Sequence, residues 1–568
     1  MRHCAPHGAE IDIDFSPFGR RTLFQPICQG LHSLQGRGMI TSVKTKFPKS
    51  YNHSKSLTTS LSTSYSPPLW RGWGWVRTII YIALLVGSAF FSSAGNADAQ
   101  NLLTRSTPEA EGLSSEHVHR FFERLMQDRR AEVHSCIVMR HGQVIAEMYP
   151  KPWRKDYRHT MYSVSKTFTS AAVGMCITDS LFSLQDSIGK FFPLLLPENA
   201  SDTLLAITVR DLLTMQSGLP VDTKMRMHET EWIKAYLHKK PTSLPGTRWA
   251  YDSIVTYLLS AIVQEASDMS LMSLLQERLF LPLGITDAAW EESPEGVTCG
   301  GWGLYIRPEA MAKFGQLLLN GGTWNGVSLI PREWVGEMMK PQSINGRYGY
   351  QMWQCTQAGW AEANGAYGQF IYVIPEADMV VTLTQCNSQR VPIQEWIKEM
   401  LVDNCQGNAL PKNEQHISFA HYTHPTASGN GNGNKVFTPI KMNLEDNILG
   451  WEGMTIRTRQ DKIVLDITDS RSQQYSITLG NKEWIESEFK GRPYYNPPFM
   501  NDFSNLPTTW HVAGSYGWQG DNLLNISLHW IDWLTSAKLQ IKLSGASASL
   551  TFKPRDTGKE TYIKAWVK

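Results

Sequence analysis

Two strand–turn–strand runs stand at opposite ends of a helix-rich stretch, and this limits the fold more than any other feature. "SCIVMRHGQVIAEMYP" (Ser135–Pro150) reads as two strands about a tight turn at His141-Gly142. "GQFIYVIPEADMVVTLTQC" (Gly368–Cys386) has the same pattern. Helical spacing appears ahead of the first run in "SSEHVHRFFERLMQDR", which opens on a serine cap. Between the runs, one helix extends through Cys176 and another, in "ITVRDLLTMQSGLP", is closed by Gly218 and Pro220. Strands supplied by both ends of one segment pair most simply as a single antiparallel sheet, with the helices inserted. The expected class for residues 100–405 is therefore α+β.

The flanks differ in character. Residues 406–436 contain "HYTHPTASGNGNGNKV", rich in Gly and Asn and without periodicity, and read as a flexible linker. From residue 437 to 568 short alternating runs such as "GMTIRTRQDKIVLDITD", "NLLNISLHWID" and "AKLQIKLS" are separated by turn residues. A small all-β domain, barrel or sandwich, follows from that spacing. Residues 1–99 read as a leader. Arg71 and Arg77 precede an apolar run of signal-peptide length at 78–91, and Ala97-Asp98-Ala99 offers a cleavage site. Export to the periplasm or outside the cell is expected, with no stable membrane span after cleavage. An uncleaved leader serving as an anchor is the alternative. The stretch upstream of Arg71 is long for a signal peptide, so translation is expected to start nearer that residue.

Charge excludes some functions. The leader's ten basic and four acidic side chains, taken from totals of 54 and 52, leave the remainder at −4. Such a body has no bias toward anionic partners, and no basic run with interleaved aromatics argues for nucleic acid. Six cysteines outside the leader are scattered, without metal-site or redox spacing, so buried free thiols are expected. There is no H-E-x-x-H for a metal and no G-x-S-x-G for a strained-turn serine. Neither a metal nor an organic cofactor is expected.

One candidate remains. Ser-x-x-Lys occurs at Ser163/Lys166, Ser187/Lys190 and Ser487/Lys490. The second falls in a loop and the third among charged β-strand residues. Only Ser163 is followed by a long small-and-apolar helix, on which residues three apart share a face. A helix start favours developing negative charge. A serine hydroxyl attacks only when a neighbouring base takes its proton, and lysine can serve if its environment lowers its pKa. Simple capping of the helix by Ser163 is the plain alternative.

"YSVSKTFTS" resembles the first motif of class C β-lactamases and related serine hydrolases. Further segments resemble that family in order: "LLTMQSGL" (Leu212–Leu219), "PGTRWAYDS" (Pro245–Ser253), "GGWGLYIRPEAMAKFGQLLLNGGTWNG" (Gly300–Gly326) and "ANGAYGQFIYVIP" (Ala363–Pro375). The resemblance implies a β-lactamase/transpeptidase-like fold, an antiparallel sheet with helices beside a helical region. It implies Ser163 as nucleophile, with Lys166 and Tyr251 sharing the general-base work. Ser253 stands where Asn is commoner and would bond Lys166 or substrate. Backbone N–H groups of Ser163 and Ala366 would form the oxyanion hole.

The third motif departs from the family pattern. Lys-Thr-Gly is expected there, yet this chain offers Ala363-Asn364-Gly365, or Trp360-Ala361-Glu362 in an ungapped register. Neither supplies the cation that grips a substrate carboxylate. Gly365, Gly368 and Gln369 resemble the nylon-oligomer hydrolase and esterase branch and are expected near substrate. The expected partner is a small ester or short linear amide. A D-amino-acid cell-wall peptidase or β-lactamase, and a non-catalytic binding protein retaining the fold, are the alternatives. For the tail domain the choice is between packing on the hydrolase domain and ligand binding through exposed Trp510, Trp518, Trp530 and Trp533.

Overall fold

A computed structural model describes residues 103–221, 229–357, 359–413, 419, 421–431, 436–490, 493, 506 and 508–568. The expected leader and its cleavage site lie outside the described residues, as does all of the separate unit Met1–Ile79.

The two hairpin runs do make one sheet. β1 (Val133–Arg140) and β2 (Gln143–Met148) come from the first, and β5 (Gln369–Ile374) and β6 (Met379–Gln385) from the second. β3 (Trp353–Gln354) and β4 (Ala361–Gly365) extend it, giving the antiparallel order β2-β1-β6-β5-β4-β3. The two ends of the domain meet where Cys136 pairs with Leu383 and Met139 with Val380. Side chains alternate across a strand, so each face needs its own cover. Ile137, Met139 and Val380 join the core shared with α2 (Ser165–Thr178), α3 (Ser253–Ser267) and α4 (Pro308–Leu319). Cys136, Val138, Val381 and Leu383 pack instead with α1 (Ser115–Gln127) and α5 (Ile393–Met400). In α4, a Cβ at Gly315 would lie 2.6 Å from Val380, so the missing side chain lets this helix sit close on the sheet.

α2 is the axis of the domain. Its residues from Ser165 to Cys176 are all buried, which is how an all-round small and apolar helix must be placed. Phe168 stacks on Phe314 of α4 at 3.7 Å, and Trp334 donates its indole N–H to the Ser170 carbonyl. The helix expected in Ile207–Pro220 is shorter, Val209–Leu213, and Gly218 ends the following turn at φ +77°.

Ten strands follow: β7 (Ile440–Leu444), β8 (Trp451–Arg459), β9 (Lys462–Asp469), β10 (Gln474–Asn481), β11 (Ile485–Phe489), β12 (Trp510–Gln519), β13 (Leu523–Trp530), β14 (Ser536–Ser544), β15 (Ser547–Pro554) and β16 (Thr561–Val567). They run in the order β10-β9-β8-β7-β16-β15-β14-β13-β12-β11, and a parallel pairing of β10 with β12 closes the barrel. At that seam a Cβ on Gly514 would lie 2.4 Å from Leu479, so closure depends on the bare glycine. Trp510, Trp518, Trp530 and Trp533 are each no more than 4% exposed. Of the two readings, packing therefore holds and the exposed aromatic binding face does not; these rings fill the barrel and its seam with the α+β domain.

The linker expectation is also corrected. Lys151 donates its N–H to the Tyr422 carbonyl and accepts from His424 N–H, Ala427 N–H bonds Ser515, and Gly431 N–H bonds Trp518. The described part of 406–436 is thus pinned to both bodies. The glycines serve close approach: a Cβ at Gly429 would meet the β12 backbone at 2.5 Å. The six cysteines within the described residues are free thiols.

Four histidines are buried at this seam. His134 stacks on Trp153 at 3.8 Å and bonds His159, whose other ring nitrogen donates to the Thr160 carbonyl. His424 bonds the Val133 carbonyl, and His529 of β13 lies edge-on to Trp153. Glu132 is 3.6 Å from His134 and 3.9 Å from His529, with Arg555 at 3.8 Å. Burial disfavours the charged imidazoles, lowering His134 and His424, His159 to about 4 and His529 to about 3. A depressed folded pKa gives stability that is present above the unfolded value and lost as pH falls through the folded one. The window here runs from about pH 6.5 down to about 3. The buried carboxyls of Glu295, Glu362 and Asp556 are raised and act in the opposite direction, so the test is a difference. Between pH 7 and 5 the wild type should lose about 2 kcal/mol more stability than His529→Gln, read by chemical denaturation at each pH.

Candidate active site

Ser163 sits between a strand and a helix that are each held independently. His159 and Thr160 pair with Ile306 and Tyr305, and Met161 N–H bonds the Leu304 carbonyl at 2.8 Å. Tyr162 then turns the chain with φ +46°, and the single 3-10 turn Tyr162–Val164 leads into α2. The helix begins without a side-chain cap, so Ser163 is not spent on capping. Ser165 fastens the turn instead, donating to the Tyr162 carbonyl at 2.6 Å and accepting from Leu304 N–H.

Lys166 is one turn on and only 1% exposed. Its ammonium donates to Ser163 Oγ at 3.0 Å, Ser253 Oγ at 2.9 Å and the Gly301 carbonyl at 2.6 Å. A buried cation is tolerated only when its donors are met, and three acceptors meet them here. Tyr251 lies with its ring centroid 5.0 Å from the same ammonium. Burial raises the phenol well above its ordinary pKa, while Ser163 and Trp353, which face its oxygen, favour the ionised form.

Asp252 explains how Tyr251 and Ser253 both reach the lysine. Its backbone is extended, so its neighbours share the side opposite to its own carboxylate. That carboxylate caps α3 by accepting from Ile254 N–H at 2.9 Å and also takes the Tyr236 hydroxyl at 2.5 Å. Trp249, Tyr251, Tyr348 and Trp353 form a mutual aromatic cluster beside the pair.

The turn joining β4 to β5 comes next to Ser163. Gly368 N–H bonds the Gly365 carbonyl at 3.1 Å, and Tyr367 within it has φ +62°. A Cβ on Gly365 would lie 2.4 Å from the Met161 carbonyl, so this strand end touches the serine segment. Ala366 is thereby carried on the turn that faces the helix start. Gln369 has a different job from the one expected. It is fully buried, and its carboxamide donates to the Ala366 and Gln385 carbonyls and accepts from Gln385 N–H. It braces the turn and has no surface for substrate. Gly368 is likewise internal, where a Cβ would meet Gln385 and Asn387.

Among the described residues of the third motif, Ala363-Asn364-Gly365 carries no cation. Asn364 donates to Glu362 at 2.8 Å, and burial raises the Glu362 carboxyl against bonds from Asn364 and Gln394. Sequence reasoning missed Trp353, Asp252 and the Gly301 carbonyl. The last carries no side-chain signal; Asp252 was legible as an N-cap residue directly before a helical run.

Fold and site together define the class: a β-lactamase/transpeptidase-like domain with a serine at the head of its central helix. Residues 118–392, just under half of the chain, match the Beta-lactamase family. Over 280 residues, 43% of this chain, it is 23% identical to 6-aminohexanoate-dimer hydrolase of Paenarthrobacter ureafaciens, covering 70% of that protein. Over 195 residues, 30% of this chain, it is 23% identical to Esterase EstB of Burkholderia gladioli, covering half of it. Among solved structures, a putative 6-aminohexanoate-dimer hydrolase from Bacillus anthracis matches with TM-score 0.46 and 21% identity, over 53% of this chain and 86% of that one.

If contact between Gly365 and Met161 sets the site, Gly365→Ala should push the turn off the serine segment. Labelling of Ser163 by a fluorophosphonate should then slow by about 100-fold, with circular dichroism unchanged.

Proposed function

We propose that this domain cleaves esters or short linear amides through an acyl intermediate on Ser163. The observation that carries the reading is the bond from buried Lys166 to Ser163, with Tyr251 facing the same hydroxyl. In acylation the Lys166–Tyr251 couple acts after shedding one proton, so that a neutral Lys166 amine or a Tyr251 phenolate is present; Ser163 Oγ attacks the carbonyl carbon and its proton passes to that group. The carbonyl oxygen becomes negative and is held by the N–H groups of Ser163 and Ala366, each worth about 3–4 kcal/mol in such sites. The leaving alcohol or amine departs with a proton relayed through the Tyr251 hydroxyl. Water, deprotonated by the same couple, then attacks the acyl carbon and frees Ser163.

Two findings support uncharged acyl substrates over antibiotics or peptides with a free carboxylate. No side-chain cation stands on the third-motif strand segment, and its acidic neighbour Glu362 is buried facing away into a bonded cluster. The aromatic cluster at Trp249 and Trp353 offers an apolar surface beside the nucleophile. The relatives' names, a 6-aminohexanoate-dimer hydrolase and an esterase, agree with this reading. We further propose that the enzyme acts after export, on the strength of the apolar run at 78–91.

A p-nitrophenyl ester panel and intact-mass analysis after fluorophosphonate treatment test the assignment. Ser163→Ala should lose the adduct. Lys166→Ala and Tyr251→Phe should each reduce kcat/KM by about 100- to 10,000-fold while the fold is retained. A cephalosporin should be turned over far more slowly than the best ester; the reverse order would overturn the substrate assignment.

A further inference from the structure

The two backbone groups that would hold the oxyanion are each flanked by a tyrosine in the left-handed region. Tyr162, at φ +46°, precedes Ser163, and Tyr367, at φ +62°, follows Ala366. Bulky residues rarely adopt this conformation, which is sterically unfavourable and persists only where the surroundings enforce it. The two rings meet edge to face at 5.5 Å. Both also pack against the apolar cluster of the C-terminal barrel, which takes in Tyr305 and Cys386 of the hydrolase domain.

The barrel grips both sides of this pair. On the serine side, Trp533 stacks on Tyr305 at 5.4 Å and Trp510 lies edge-on to it. Tyr305 pairs with Thr160, three residues before the nucleophile. On the turn side, Arg555 donates to the Cys386 carbonyl at 3.2 Å, and the next residue, Asn387, donates its N–H to the Tyr367 carbonyl at 2.8 Å.

We propose that the C-terminal barrel is a working part of the active site, setting the spacing of the oxyanion hole through the positioning residues Tyr162 and Tyr367. The inference rests on the hydrolase reading above. Neither tyrosine needs to touch the reacting atoms. Each holds the peptide group next to it, and the barrel holds each of them. The alternative is that the barrel merely shields apolar surface. The two differ in what they predict for turnover against binding.

The test uses the full chain, a p-nitrophenyl ester, an aryl boronic acid and a fluorophosphonate. The boronic acid adds to Ser163 Oγ and presents a tetrahedral boronate oxygen to the hole. With the fluorophosphonate the same oxygen bonds phosphorus and displaces fluoride, which leaves as HF with the serine proton, giving a stable phosphonyl serine. Tyr367→Leu should lower kcat by about 10- to 100-fold, less than loss of a whole oxyanion donor. KM should stay within about threefold, and boronic acid affinity should fall by the same factor as kcat. Tyr367→Phe, which keeps the ring, should recover most of the loss. Trp533→Leu, remote from the chemistry, should move kcat and boronic acid affinity in the same direction. Unfolding midpoints separate loss of fold from loss of alignment, and if Tyr367→Leu does not fold, Tyr162→Leu and Trp533→Leu decide. Wild-type kcat and boronic acid affinity in folded leucine variants, with Ser163 still labelled, overturn the proposal alone. A wild type that takes no label on Ser163 overturns the hydrolase reading and the proposal with it.

Discussion

An ammonium group buried to 1% exposure must have its protons accepted, and meeting that requirement shapes the centre of this protein. The three acceptors of Lys166 come from separate places: the start of α2, the start of α3 and the 301 loop. Each place has its own anchor. Ser165 fastens the first, Asp252 caps the second, and a Cβ on Gly301 would collide with the Ser253 carbonyl at 2.4 Å, which keeps the third pressed on α3. The lysine therefore reports on the whole assembly. If any one segment shifts, it loses an acceptor that the other two segments do not supply.

The same dependence extends outward to the sheet and the barrel. β4 ends against Met161, and the buried Gln369 carboxamide ties its turn to β6. β6 continues into Cys386, where Arg555 of the barrel takes hold. A continuous path of bonds thus runs from the barrel to the turn beside Ser163. The pinned segment between Tyr422 and Gly431 joins this path from the other side, bonding Lys151 near one end and Trp518 near the other.

How much of this could be read from the chain follows from what a pattern can carry. Strand alternation in Ser135–Pro150 and Gly368–Cys386 fixed which faces need cover, and so the sheet was legible. The pairing of Ser163 with Lys166 was legible because three residues along a helix return to one face. Tyr251 was visible only through family resemblance, since nothing in an isolated Tyr-Asp-Ser says where a loop will fold. Gln369 was placed near substrate by family resemblance alone; its bracing role depends on bonds to β6, sixteen residues away in sequence. The four tryptophans left two readings open, because closure of a barrel, and not composition, decides whether an aromatic ring faces in. Glycine in Ala427–Gly431 suggested freedom, yet there it permits backbone contact with β12.

Strain supplies the last step. Tyr162 and Tyr367 hold left-handed backbone that a glycine would adopt without penalty, and glycine is not what the chain uses. A tyrosine at such a position is retained at a steric cost of about 1–2 kcal/mol, which its ring must offset by packing. Both rings pack on each other and on the cluster at the barrel seam. Both rings are partly buried, so each contributes less than the about 1.5–3 kcal/mol of a fully buried apolar side chain, a gain of the same order as the backbone term. A barrel tethered loosely, as an independent ligand-binding module would be, could not stabilise either turn. The conformation beside the nucleophile thus argues, on steric grounds, that the tail domain and the hydrolase domain fold as one working unit.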